Sequence, residues 1–127
     1  MRLVFLLLAS LAACSSQTPP AKVCEHLSQG CALPLGNSTL QVRSNIQPKP
    51  LQPFKLQVTL PNAKSVDVVL SMRGMNMGAN HYRLQADSQG IWWGTLTLPV
   101  CVSGRRDWLL TINSDDQTTA LTFTTQE

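Results

Sequence analysis

The sequence predicts an all-β protein, an antiparallel immunoglobulin-like β-sandwich of about seven strands. Three observations predict this fold. Apolar and polar residues alternate with a period of two, turn residues separate the alternating stretches, and no stretch has helical periodicity. At 127 residues the chain has room for one domain with a single hydrophobic core. A small β-barrel is the alternative arrangement of such strands.

The alternation predicts which side chains of each strand face the core. The fifth strand carries Trp92 and Trp93 on opposite faces, so one ring is predicted to be buried and the other partly exposed. Three prolines lie between the first two strands, where they interrupt no hydrogen-bonded ladder. The inward residues of the other strands, in order, are Leu40, Val42 and Ile46; Phe54, Leu56, Val58 and Leu60; Val66, Val68, Leu70 and Met72; Tyr82, Leu84 and Ala86; Trp108, Leu110 and Ile112; and Leu121 and Phe123.

Residues 1–13 predict an export signal. Arg2 precedes an apolar run that is too short to span a bilayer permanently, and small residues follow it up to Cys14. The last four residues of this stretch, Leu11 to Cys14, resemble the bacterial lipobox. This resemblance implies that Cys14 becomes the first residue of the mature chain, carries acyl chains such as palmitate, and anchors the protein to a lipid bilayer. An ordinary secretory signal with a chance cysteine is the alternative.

The region after the cleavage site predicts where the protein resides. Residues 14–22 are polar and proline-bearing and predict a tether, and residues 23–127 form the β-sandwich domain. Ser15 follows the lipidated cysteine where an inner-membrane lipoprotein would have aspartate, which favours the outer membrane with the domain facing the periplasm.

The net charge of the mature chain is small. Cleavage of the signal removes Arg2 and lowers the formal net charge from +3 to about +2. The charges are dispersed, so we expect no nucleic-acid partner.

Three cysteines remain if Cys14 carries lipid, and one of them is then left over in an oxidising compartment. The preferred disulfide joins Cys24 and Cys31, since their short loop costs little entropy to close. A long-range bond from either of these to Cys101 is the alternative. The unpaired thiol is either buried and inert or a soft metal ligand.

The stretch "MRGMNMGANH" holds three of the four methionines. Thioether sulfur is a soft, neutral donor that suits Cu(I). Met72 continues a strand and is predicted to face the core, whereas Met75 and Met77 lie between glycines that allow a tight turn. His81 is predicted to face outward on the next strand. The alternative is that these methionines only fill irregular core volume.

The run from Val68 to Gly104, with its Met-Gly-Met segment followed by a Gly-aromatic strand, resembles the YtkA-like and FixH-like domains. The resemblance covers about residues 51–123 and includes Gly74, Gly78 and Gly90. Arg73 and Asn76 stand where many relatives have histidine or proline. The resemblance implies an exported or membrane-anchored β-sandwich that works in copper handling or cytochrome oxidase assembly.

Residues and resemblance together predict a Cu(I) site. Met75 and Met77 are the expected ligands, with His81 as a third and either Cys101 or Met72 as a weaker fourth. The expected role is to accept Cu(I) and pass it to a periplasmic copper-handling or oxidase-assembly partner.

Acidic residues are scattered and no nucleophile or phosphate-binding motif is present, so we do not expect an enzyme. The alternative function is a metal-free β-sandwich that acts as an envelope protein-interaction module.

Overall fold

The computed structural model describes residues 21–72, 80–99 and 106–125. A short 3₁₀ turn, Leu27–Gln29, lies between the first two strands. The strands are β1 (Lys22–Val23), β2 (Cys31–Leu35), β3 (Ser38–Ser44), β4 (Phe54–Thr59), β5 (Asp67–Met72), β6 (Asn80–Arg83), β7 (Gln85–Ala86), β8 (Ile91–Leu96), β9 (Asp107–Ser114) and β10 (Gln117–Thr124). The prediction of an all-β fold is confirmed.

The strands form two five-stranded sheets that enclose one core. The first sheet has the order β1-β10-β9-β5-β6, and the second has the order β2-β3-β4-β8-β7. All neighbours are antiparallel except β1 and β10, which run parallel. Since the described strands form two separate sheets, the fold is a β-sandwich and not the barrel that the strand pattern also allowed.

The period-two alternation explains how the core is filled. Phe54, Leu56 and Val58 of β4 and Leu110 and Ile112 of β9 are nearly or completely buried, while the residues between them are exposed or half-buried. Burying a leucine or phenylalanine side chain completely contributes about 1.5–3 kcal/mol. The two inner faces therefore hold the sheets together, and the outer faces are left for polar residues and for binding.

The structure divides one predicted strand into two. The stretch around Tyr82 was expected to form a single strand, but β6 pairs with β5 in the first sheet and β7 pairs with β8 in the second. Leu84 lies at the crossing, where its amide donates to the carbonyl of Val66 over 2.9 Å and its side chain is 2% exposed. Ala86 pairs with Trp92, whose ring packs against the core, so the register places Ala86 on the predicted inner face. It is nevertheless exposed, because β7 is a two-residue strand at the edge of the sheet.

Two further strands were not predicted. β1 has two residues and begins at Lys22, one residue before the predicted start of the domain. β2 carries Pro34 in its middle, which is untypical of a strand. Because β2 is an edge strand, the missing N–H of Pro34 can face away from the ladder to β3.

Candidate functional site

Three strand ends of the first sheet flank the two sequence segments that carry the predicted ligands Met75, Met77 and Cys101. Met72, the last residue of β5, pairs with Trp108 near the start of β9, and Leu70 pairs with Asn80, the first residue of β6. These strand ends therefore lie side by side at one end of the sandwich. Residues 73–79 connect two of them, and residues 100–105 lead into the third. Met75, Met77 and Cys101, three of the predicted ligands, lie in these two segments and so outside the described residues.

Met72 belongs to the core, as its position in the alternation predicted. Its side chain is 5% exposed and belongs to the single buried cluster. A thioether in this position fills apolar volume, and Met72 could reach a metal only by leaving that cluster. The structure thus gives Met72 a role in the core.

His81 lies on the other face of the same sheet. It pairs with Val69 of β5 and is exposed, so its predicted outward orientation is confirmed. Because β5 residues alternate between faces, Met72 points to the core while Val69 and His81 point outward. The backbone of the sheet therefore lies between His81 and Met72, and the structure does not bring these two predicted ligands together.

Tyr82 and Trp108 lie near this end, and the sequence predicted only that both face inward. The Tyr82 hydroxyl donates to the carbonyl of Thr97 over 3.2 Å, and the Thr97 amide lies 3.4 Å from the same hydroxyl oxygen. This contact joins β6 to the chain that follows β8. The indole N–H of Trp108 is buried and has no acceptor among the described residues.

The disulfide joins Cys24 and Cys31, as preferred from the sequence, with their Cα atoms 6.2 Å apart. The amide of Cys24 donates to the carbonyl of Thr122 in the first sheet, whereas Cys31 begins β2 of the second sheet. The bond therefore links the two sheets at one edge of the sandwich. It also leaves Cys14 and Cys101 as the cysteines outside this bond. Both of these lie outside the described residues.

Harder metal ligands do not cluster in the parts of the chain that the structure describes. In those parts, no group of three or more histidine, cysteine, aspartate or glutamate side chains could hold a metal ion. The described ranges also contain no helix that is long and apolar enough to cross a membrane.

Trp92 and Trp93 divide between core and surface, as predicted. Trp92 is partly buried against the core, and Trp93 is 37% exposed on the outer face of the second sheet. Asp87 holds the exposed ring, since its Oδ2 accepts from the indole N–H of Trp93 over 2.9 Å. Its Oδ1 accepts from the amides of Gln89 and Ile91 over 2.8 and 3.0 Å. The turn between β7 and β8 thus fixes the orientation of Trp93.

These contacts predict a lowered pKa for the carboxyl of Asp87. The indole of Trp93 is the main cause that lowers the pKa of this carboxyl below its ordinary 3.8, and the Ile91 and Gln89 amides add to it. A carboxyl whose pKa is depressed in the folded state stabilises the fold above its unfolded pKa, and that contribution is lost as the pH falls through the folded value. We expect carboxyl NMR titration to give a pKa under 3.8, and Trp93→Phe to raise it. A wild-type value at or above 3.8 would contradict the geometry of this turn.

Comparison with known proteins gave no match to a family model, to a curated protein or to a solved structure. The likeness to YtkA-like and FixH-like domains thus remains a prediction from the sequence. The function has to be argued from the residues and their placement in the two sheets.

Proposed function

We propose that this protein is a membrane-anchored periplasmic lipoprotein that binds Cu(I) at one end of its sandwich, for copper delivery or tolerance. Met75 and Met77 supply the principal sulfur ligands, and His81 and Cys101 complete the set. One observation carries the proposal. The described strands that flank residues 73–79 and 100–105 end beside each other, since Met72 pairs with Trp108 and Leu70 with Asn80.

The ligand chemistry favours a metal that is held and then released. Thioethers are neutral and soft, so the two methionines can retain Cu(I) in an oxidising compartment, where most cysteine thiols form disulfides. The Cys24–Cys31 bond supports this choice, because two cysteines that would otherwise bind Cu(I) tightly are already oxidised. A site of this kind passes its ion to a partner with thiolate or imidazole ligands, such as a copper-handling or oxidase-assembly protein of the periplasm.

Among the weaker ligands, the placement of Met72 and His81 favours His81. Met72 is 5% exposed and fills the core, whereas His81 is exposed on the outer face of β6 directly after the methionine segment. A site formed by Met75, Met77 and His81 leaves the core intact. A site that used Met72 would expose apolar volume and lose the free energy of its burial.

The anchor sets the working distance from the membrane. In the proposal, Cys14 carries the acyl chains, and the lipid bilayer, most simply the outer membrane, is its first partner. β1 begins at Lys22, so seven residues, 15–21, separate Cys14 from the first strand. At about 3.3 Å per residue, a fully extended tether of this length reaches roughly 25 Å. The metal-binding end would thus meet partners that stand close to the membrane.

A second candidate function is a metal-free interaction module of the envelope. The observation that favours it is the exposed ring of Trp93, which Asp87 holds in one orientation on the second sheet. A fixed aromatic ring on a polar face is typical of a binding surface. The two functions depend on different residues, because the surface around Trp93 contains none of the proposed copper ligands.

Titration of the full chain with Cu(I) tests the proposal. The protein is purified in detergent and mixed with the Cu(I) complex of bathocuproine disulfonate, whose colour falls as copper moves to the protein. Ascorbate serves as the reductant, because a thiol reductant would open the Cys24–Cys31 bond and create a second copper site. We expect one Cu(I) per chain, retained through a desalting column. A chain that takes no copper from the chelator and emerges metal-free would exclude the copper function and leave the interaction module.

A further inference from the structure

The backbones of Cys24 and Cys31 are held in place by contacts that do not involve their sulfur atoms. The amide of Cys24 donates to the carbonyl of Thr122 over 2.8 Å in the first sheet, and Cys31 pairs with Val42 at the start of β2 in the second. The two Cα atoms are 6.2 Å apart. Opening the disulfide therefore leaves two thiols side by side at this edge of the sandwich.

The loop between the two cysteines has its own contacts to the rest of the fold. The Glu25 carboxylate accepts from the amide and the hydroxyl of Thr124, at the end of β10, over 3.2 and 3.3 Å. The carbonyl of Glu25 accepts from the side-chain amide of Gln47 over 2.9 Å, and the side chain of Leu27 is completely buried in the core. None of these contacts needs the disulfide, so reduction loosens the loop but does not release it.

The two cysteine side chains differ in their exposure to solvent. Cys24 is 6% exposed, whereas Cys31 is only partly buried against the core. Thiol–disulfide exchange begins when a thiolate attacks an accessible sulfur, and the other sulfur leaves as a thiolate. The difference in exposure therefore directs attack to Sγ of Cys31 and makes Cys24 the leaving group.

A reduced pair at this position suits Cu(I) better than Zn(II). Structural Zn(II) sites take four ligands in a tetrahedron. In the described parts of the chain, no three histidine, cysteine, aspartate or glutamate side chains are grouped closely enough to hold a metal ion. Cu(I) is soft and is stable between two thiolates alone, in a linear arrangement. The pair therefore offers the ligands that Cu(I) needs and lacks those that Zn(II) needs.

We propose that Cys24 and Cys31 form a redox-gated Cu(I) site, closed as the disulfide and open as the dithiol. The reductant is a protein dithiol of the same compartment. One of its thiolates attacks Sγ of Cys31 and Cys24 leaves. Its second thiol then releases Cys31, so that two electrons and two protons pass to this chain and the reductant becomes a disulfide. One Cu(I) then replaces the two thiol protons with no change of oxidation state. The site does not depend on the methionine site, because it uses neither the methionines nor His81.

Titration of a chain that carries Met75→Leu and Met77→Leu tests the proposal without the methionine site. The full chain is reduced with a phosphine, which is removed under anaerobic conditions because phosphines bind Cu(I), and is titrated with the Cu(I) complex of bathocuproine disulfonate. We expect the reduced chain to take one Cu(I) more than the oxidised chain. We also expect it to bind that ion at least about 100-fold more tightly than a chain that also carries Cys24→Ser and Cys31→Ser. Equal copper uptake before and after reduction would overturn the site, and so would a reduced chain that circular dichroism shows to be unfolded.

Alkylation identifies the ligands in the same reduced chain. Iodoacetamide labels free thiols, and mass spectrometry of peptides measures each cysteine separately. Without copper, we expect Cys31 to be labelled at least about tenfold faster than Cys24, as their exposure predicts. One equivalent of Cu(I) is expected to slow the labelling of both by at least about tenfold. Protection of one cysteine or of neither would overturn the two-thiolate site, and faster labelling of Cys24 would overturn the order of attack.

Discussion

Replacing Met75 and Met77 together by leucine is expected to weaken Cu(I) affinity by about 100-fold or more, because both principal sulfur donors are lost while side-chain size is kept. The variant should also lose copper on a desalting column. Competition against bathocuproine disulfonate measures the change. Since 100-fold corresponds to about 2.7 kcal/mol of binding free energy, the loss is far larger than the error of such a titration.

Met72→Leu is the matched control for this experiment. It makes the same chemical change three residues before Met75, at a side chain that the structure places in the core. Affinity for Cu(I) is expected to stay within twofold or so of wild type, and the free energy of unfolding to change by less than about 1.5 kcal/mol. His81→Ala is expected to weaken binding by about tenfold, since it removes one of the weaker ligands and leaves both principal sulfur donors. Equal copper binding by the Met75, Met77 double variant and wild type would remove the site, and a large loss in Met72→Leu would place Met72 among the ligands.

Removing the disulfide by replacing Cys24 and Cys31 with serine is expected to lower the free energy of unfolding by about 2–3 kcal/mol. The bond closes a short loop of sequence separation 7, which by chain entropy alone predicts a moderate effect. Its position adds to that effect, because it joins the edge of the first sheet, through the Cys24 amide and Thr122, to β2 of the second. Urea denaturation measures the change.

Reduction of the wild-type protein gives an independent check. A thiol reductant should lower wild-type stability to about that of the double serine variant and should leave the variant itself unchanged. Loss of the disulfide is also expected to loosen the turn Leu27–Gln29, whose Leu27 side chain is completely buried between the two cysteines in sequence. Wild type that is equally stable with and without reductant would show that the core alone holds this edge.

The alternation of residue types predicted the strands and their faces well. Phe54 to Val58 and Trp108 to Ile112 are buried at alternate positions, as expected. The same pattern predicted the division of Trp92 and Trp93 between core and surface. These predictions succeeded because successive side chains of a strand point to opposite faces. A strand with one buried and one solvent-exposed face therefore has apolar and polar residues in strict alternation.

The pattern could not show which sheet a strand joins. It runs without a break from Tyr82 to Leu84, although the chain there leaves the first sheet for the second. The side chain of Leu84 faces inward even where the chain passes from the first sheet to the second. The alternation in the sequence therefore does not reveal the change of sheet. Edge strand β2 was missed for a related reason, since Pro34 argues against a strand unless its edge position is known.

The sequence by itself determined which side chains of the candidate site face inward and outward, because that choice depends only on local alternation. It placed Met72 in the core and His81 on the surface, and it preferred the Cys24–Cys31 pair. Only the tertiary structure showed that the strand ends at Met72, Asn80 and Trp108 lie together, and that Asp87 holds Trp93 beside Lys55 and Gln57. These are contacts between strands, and they depend on pairing partners that local periodicity does not encode.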